Sequence, residues 1–553
     1  MSVKKIVVIS ILSSIAILLP GCLPPGSQLI VEKQDTILGS YNASPTFTIT
    51  FSGINGVVEE LHYSLDDETE VSLPTNAEQF SIKERLPSGS YTITVEAVIN
   101  GGILTTSTDF SVKDISSYSA NDPGYQQYQW GHSAVNVQHL WGLIEEGVID
   151  DRDDVIIAVV DSGYLDHPDL SSNLVFGKGY DFVDGDSDPS DEGTDFSHGT
   201  AVAGVIAAHT DNSTGVAGMD FQNKLKIVPV RVLDANGVGP TSAVTQGILY
   251  AAGLPNSSGE ILDPPAEIIN LSLGGGGVDP YLEDALRKAS EAGSIIIAAS
   301  GNDSNYNGSG WVSVSFPASS EYTICAGATN IENEVTQYSN VGALLDVFDP
   351  GGDSSGGIYC LEAIPGPPSP SYDYISVAGT SFATPYASGI AGLLCSIDSS
   401  LDNEEMRELF QKSTMSLDPP YFDLFTDVGI LNALFVFETY AGGKITDIDL
   451  TRAPADSPGD QPPDGLLFPT VAVKRTSDLP EYDPETIIIT FPDGVTEAEQ
   501  QAAIDNLGLE RVAGSRNVYH ADLQTTSLST YQTRLEAQTP GIKVYRNYYY
   551  YAY

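Results

Sequence analysis

The sequence predicts an α/β domain, a mainly parallel sheet sandwiched by helices, with an all-β sandwich before it and a small βαββαβ domain after it. Three observations predict this. Over 121–441, continuous apolar runs (VIIAVVDSG, KLKIVPVRVL, AEIINLSLG, SIIIAASGN) alternate with helical stretches such as TSAVTQGILYAAG and YLEDALRKASEAG. That alternation marks strands buried on both faces and joined by crossover helices. Over 27–113, short alternating runs (TFTITF, YTITVEAV, STDFSV) lie between Gly, Asn and Pro turns at the spacing of a sandwich. Over 486–553, the order is strand IIITF, helix TEAEQQAAIDNLG, strands LERVAG and NVYHADL, helix SLSTYQTRLEAQ and strand IKVYRN, a ferredoxin-like plan.

Taken in order, residues 1–21 read as a targeting segment. Lys4 and Lys5 precede an uncharged apolar run from Ile6 to Leu19, too short to span a bilayer and of the size of a signal-peptide core. It ends LLPGC, which resembles a bacterial lipoprotein signal; that resemblance implies lipidation of Cys22, although Pro20 departs from the usual residue at its place. Residues 22–113 then comprise the lipidated N-terminus and the sandwich, which looks like a bacterial immunoglobulin-like module. Residues 114–120 are a polar link and 121–441 the α/β domain. Residues 442–485, rich in Pro, Asp, Gly and Ser, are a linker with one short strand at Thr470 to Val473. The expected location is therefore the bacterial cell envelope, membrane-anchored and surface-exposed or released.

The formal net charge of −50 excludes nucleic acid as a partner and favours calcium, a cationic partner or a need for solubility in salt. Besides Cys22 there are three cysteines. Cys325 and Cys395 lie in apolar runs as small hydrophobes, and a disulfide to Cys360 is left open.

The chemistry centres on GTSFATPYASG, Gly379 to Gly389. Ser381 stands before an apolar small-residue run with Pro385 about one turn in, so it falls at a helix N-terminus, where N–H groups and the dipole favour developing negative charge. A serine in that position is more often a cap than a nucleophile. Three other segments supply partners. Asp161 ends the buried strand VIIAVVDSG, and a carboxylate there needs a hydrogen-bonding task. His198 opens the Ala/Gly/Val helix SHGTAVAGVIAA and can take the proton of Ser381, with Asp161 fixing its tautomer. Asn302, after SIIIAASG, can donate to an oxyanion beside the Ser381 N–H.

DSGYLDHPDL, HGTAVAG, the SGN turn and GTSFATP together resemble the motif set of subtilisin-like serine proteases, in the Asp, His, Ser order of that family. The resemblance implies a serine endopeptidase with Asp161, His198 and Ser381 as triad and Asn302 as oxyanion donor. It also implies that Ser272, Leu273 and Gly274 pair with substrate backbone, and that Ala299, Ser300 and Gly301 line an S1 pocket suited to a large apolar side chain. Phe382 replaces the family's usual Met and Ala201 a commonly seen His. No cofactor is expected for catalysis, and protein or peptide substrates are the expected partners, with the bilayer and the chain's own C-terminal domain.

Two calcium expectations follow, with calcium as a structural ion. Asp181, Asp184, Asp186, Asp188 and Asp191 crowd the loop before His198 at oxygen-ligand spacing. By resemblance, Gln126, Asp169 and the loop around Asp211, Asn212, Thr214 and Val216, which reads as one residue longer than usual, form a second site. The C-terminal domain resembles the propeptide domains that this family carries before its catalytic domain, yet here it follows. Its residues Tyr550, Tyr551, Ala552 and Tyr553 are expected to lie in the cleft like a product, Tyr553 in S1. The rival expectation is a surface binding lipoprotein whose protease-like domain is sequestered or unused.

Overall fold

The computed structural model describes residues 27–552 apart from 35–44, 305–311, 418–427, 443–470, 473–481 and some shorter loop segments. The lipoprotein signal, Cys22 and Tyr553 lie outside the described residues. No helix among the described residues is long and apolar enough to cross a membrane.

The N-terminal residues form two antiparallel sheets. One joins Gln28–Lys33, Thr46–Ser52 and Gln79–Ser81; the other joins Val71–Ser72, Val58–Leu65, Gly89–Ile99 and Gly102–Val112. Alternation dictates the core, because every second residue of Gly89–Ile99 turns inward: Ile93, Val95, Ala97 and Ile99 are fully buried. Phe47 packs between Phe80 and Phe110, with both ring centroids at 5.4 Å.

The α/β domain is built on a nine-stranded sheet in the order Thr414–Met415, Ile430–Leu431, Val347–Pro350, Ile324–Thr329, Ile295–Ala299, Ile268–Leu271, Val155–Asp161, Leu225–Arg231, Tyr180–Asp181. Only the edge pair Thr414–Met415 with Ile430–Leu431 is antiparallel. The apolar runs are buried along almost their whole length, as strands covered on both faces must be. Helix Pro280–Glu291 shows the complementary pattern: Tyr281, Leu282, Ala285, Leu286 and Ala289 form its buried stripe, Pro280 opens it and the Asp279 side chain accepts from Tyr281 N. Cys325, Cys360 and Cys395 are buried and unbonded, so the open disulfide expectation resolves to three free thiols.

Helix Thr380–Cys395 is buried on all sides, and Ser381 is its second residue. Pro385 sits sixth, beyond the first turn where the sequence reading placed it. Lacking an N–H, it cannot bond the carbonyl four residues back, which is that of Ser381. The Ser272 hydroxyl takes this bond instead, at 2.8 Å.

The C-terminal residues give strand Tyr482–Thr490, helix Glu497–Asp505, strand Val518–His520, helix Leu528–Glu536 and strand Lys543–Ala552. Of the expected strand LERVAG the described part is a single bridge, Arg511 to Tyr519. Ile487, Ile489, Ile504, Tyr519, Leu535 and Ile542 close this core.

Candidate active site

Two neighbouring backbones bring the first pair together. Asp161 ends the central strand Val155–Asp161, and His198 begins helix His198–Ala207. His198 Nδ1 lies 2.8 Å from Asp161 Oδ1, which also accepts from Ser162 N at 2.7 Å. Asp161 is fully buried and His198 nearly so. The Phe382 ring meets the imidazole edge-on at 5.5 Å, so the residue in the Met position forms a wall and removes no polar atom.

Ser381 is buried, and its hydroxyl donates to the Ser272 carbonyl at 3.0 Å. Asn302 stands next to the same helix start. Its Oδ1 accepts from Thr380 N at 3.0 Å and from Thr380 Oγ1 at 2.9 Å. With the oxygen accepting twice, the amide orientation is set, Nδ2 being its donor end. The sequence reading missed Thr380 in this task, although its place between Gly379 and Ser381 was visible.

Ala299 and Ser300 are fully buried at the end of strand Ile295–Ala299. Gly301 has φ +110°, and a Cβ there would meet the Asn340 amide at 2.3 Å, so only glycine fits this wall. Leu273 and Gly274 form an edge strand, and residues of the C-terminal strand pair with it: Ala552 with Leu273 and Tyr551 with Gly274, antiparallel. On its other side the same segment pairs with Val238–Pro240, and Ala552 N donates to Gly237 O at 3.1 Å. Sequence reasoning missed this second wall, which contributes backbone atoms and has no side-chain signature. Tyr550, Tyr551 and Ala552 are buried, and Tyr550 and Ala552 join the apolar cluster of Leu271, Leu273 and Phe316. The docking continues outward. Pro240 offers no side-chain cap to helix Thr241–Ala251, and Asn547 Oδ1 accepts from Ser242 N at 3.2 Å in its place. Tyr545 stacks on Tyr281 at 6.0 Å.

The two expected calcium loops differ. In the first, the fully buried Arg231 guanidinium stands among the carboxylates: Asp181 at 2.6 Å, Asp184 at 2.7 Å and Glu192 at 3.1 Å. Asp186 and Asp188 are exposed and accept from the backbone N–H groups of Asp188 and Ser190. Arg231 already neutralises Asp181 and Asp184, so a dication drawing on those two would compete with it, whereas Asp186 and Asp188 lie outside that cluster. In the second, Asp169 is buried and accepts from Asn212 Nδ2 at 2.7 Å, Val216 N at 3.0 Å and the Tyr374 hydroxyl at 3.3 Å. Asp122, which sequence reasoning passed over, is buried beside the same loop and accepts from Asp211 N and Asn212 N. Burial raises both carboxyls, Asp169 to about 6, with Asp122 adding to the rise. Among the described residues no cationic side chain pairs with either, which suits a hard cation. Gln126 bonds Ala120 O and is exposed. No group of three or more His, Cys, Asp or Glu among the described residues is disposed to hold a metal by itself.

A covered parallel sheet holding an Asp–His pair and a serine at the start of a buried helix defines the class of protein. The chain belongs to the subtilase family, whose match spans residues 152–437. It is 37% identical over 300 residues to a thermophilic serine proteinase of Bacillus sp. strain AK1, covering 54% of this chain and 64% of that protein. It is 36% identical over 287 residues to thermitase of Thermoactinomyces vulgaris (52% and 88%). It is 34% identical over 304 residues to an extracellular protease of Xanthomonas campestris (50% and 50%). The chain thus spans from half to most of the length of these relatives.

Proposed function

We propose that this chain is an exported serine endopeptidase whose substrate cleft is held by its own C-terminal strand. The observation that carries the reading is the 2.8 Å Asp161–His198 contact beside a serine at a helix start, with Asn302 locked by Thr380. The reaction begins when the Ser381 hydroxyl turns from the Ser272 carbonyl toward His198 Nε2. His198 takes the proton as Oγ attacks the scissile carbonyl, and Asp161 stabilises the imidazolium. The Ser381 N–H and Asn302 Nδ2 receive the oxyanion, and losing one such donor lowers the rate about 100- to 1,000-fold. His198 then gives the proton to the leaving amine, and water discharges the acyl-enzyme by the same route in reverse.

Substrate runs where residues 550–552 run, between Val238–Pro240 and Leu273–Gly274. Tyr553 is the residue we assign to an apolar S1 bounded by Ala299, Ser300 and Gly301. Because the tail continues a strand already ordered by pairing with Tyr482–Thr490, its binding orders few additional residues. Tethering through the linker gives an effective concentration of up to roughly millimolar. The lipoprotein anchor at Cys22 and a calcium ion held by Asp169 and Asp122 beside Asn212 complete the reading; the ion would neutralise the two buried carboxylates and brace the loop.

The test is labelling of the full chain by a fluorophosphonate, with Ser381→Ala as control, before and after deletion of Tyr550 to Tyr553. We expect Ser381-dependent labelling that rises, with peptidase activity, on deletion. The burial of the cleft strand also suits the rival, a binding lipoprotein with a sequestered protease-like domain. No labelling in either form would favour that rival. Equal activity in both folded forms would discard the tail's inhibitory role alone.

A further inference from the structure

Asp191 has no part in the mechanism above, yet it is 4% exposed and lies within the network behind the triad. Its Oδ2 accepts from two hydroxyls, Ser162 Oγ at 2.6 Å and Ser197 Oγ at 2.9 Å. Its Oδ1 accepts from Gly193 N at 2.8 Å. Ser162 directly follows Asp161, and Ser197 directly precedes His198. One carboxylate oxygen therefore ties together the residues that flank the two members of the acid–base pair.

We propose that Asp191 is a positioning residue that sets the Asp161–His198 geometry by clamping Ser162 to Ser197. The alternative, a role confined to holding its own loop, needs only the bond to Gly193. The backbones explain why a clamp is required at this place. Gly163, at φ +100°, and Gly199 allow the two turns to touch: a Cβ on Gly199 would lie 2.1 Å from Gly163 O. Gly199 N donates to Ser162 Oγ at 3.1 Å, so the clamped serine is also bonded to the start of the His198 helix. Thr200 extends the set, its hydroxyl 2.6 Å from Ser197 Oγ and accepting from Leu165 N at 2.8 Å. A charge this close to Asp161 is unfavourable in itself, since burial and Asp161 both push the Asp191 carboxyl up. Its three donors offset part of that penalty.

This inference rests on the endopeptidase reading for its kinetic arm only. The full chain is measured, and also the full chain carrying Tyr550→Asp so that the tail does not mask turnover. We expect Asp191→Ala to lower kcat about 10- to 100-fold, the scale of a sub-ångström to ångström misplacement, with KM changed less than about twofold. Asp191→Asn keeps an oxygen for both hydroxyls and should restore kcat to within about fivefold of the unsubstituted chain, giving up mainly the Gly193 bond. The substrate-free arm is the low-field proton NMR signal of His198 Nδ1–H, expected to shift in Asp191→Ala and to return in Asp191→Asn. If neither chain turns over peptide but the signal behaves this way, the positioning role stands and the endopeptidase reading fails. An unmoved signal with unchanged kcat, or equal losses in Ala and Asn, overturns the positioning role. Should Asp191→Ala not fold, Ser162→Ala and Ser197→Ala decide. Either single change should give most of the double variant's loss in kcat, and small additive losses would overturn the clamp.

Discussion

The carboxylates of the acidic loop before helix His198–Ala207 and those packed against the loop after it are the same kind of residue in different electrostatic company. Before the helix, Asp181, Asp184 and Glu192 surround Arg231, which strand Leu225–Arg231 delivers to them in register with Asp161. Against the loop after the helix, Asp122 and Asp169 are buried with its backbone and amide N–H groups as donors, and no cationic side chain among the described residues pairs with them. Density of carboxylates alone therefore does not distinguish the two places. What discriminates is whether the chain has already placed a cation within reach, because burying an anion demands compensation from some source.

The strongest way to break this contrast is to remove the internal cation. Arg231→Met leaves Asp181 buried and unpaired, and losing one member of a buried pair costs about 3–5 kcal/mol. For a unit of this size that is a fall in Tm of roughly 10 °C in a thermal scan. Adding Asp181→Asn, which keeps the acceptor oxygen for the Val183 and Asp184 N–H groups, should recover most of the loss. If Arg231→Met melts within about 1 °C of the parent, the guanidinium is not what neutralises the first loop.

The second loop should respond to ions in solution instead. Calcium at about 100 times its dissociation constant would add about 2.7 kcal/mol, and chelator should remove it, lowering Tm by about 5–10 °C. Asp169→Asn should abolish that difference. A thermal midpoint indifferent to chelator in the parent chain would remove calcium from the second loop.

The sequence revealed these regions unevenly, for physical reasons. Asp161, His198, Asn302 and Ser381 were legible because each is a polar side chain ending or opening an apolar run, where burial without a task would be unfavourable. The parallel sheet was legible from the same runs. Arg231 stood in plain view inside KLKIVPVRVL, and a lone Arg in a strand buried on both faces implies carboxylate partners. Aspartates some fifty residues upstream supply them, a separation that spacing rules do not bridge. Val238–Pro240 was hidden because it works through its main chain, and main-chain pairing imposes little on side-chain identity. Pro385, read as about one turn in, stands just past the first turn, where the Ser272 hydroxyl satisfies the carbonyl that it leaves unbonded, a compensation no local spacing reveals.

The smallest effect is the sharpest test of the comparison. Asp186 and Asp188 have the spacing that suggested a metal, yet both are exposed and serve as acceptors within their own turn. Replacing both by Asn keeps those acceptors and removes only charge, in a loop whose inner carboxylates belong to Arg231. Such surface changes alter stability by about 0.5 kcal/mol or less. Because the chain has a net charge of −50, the sign should be slightly stabilising at low salt and fade as salt rises. The chelator-dependent shift in Tm should survive intact in Asp186→Asn/Asp188→Asn, in contrast to its loss in Asp169→Asn. Were the double variant to lose that shift instead, the ion would belong to the loop before the helix, and the two loops would have to exchange roles.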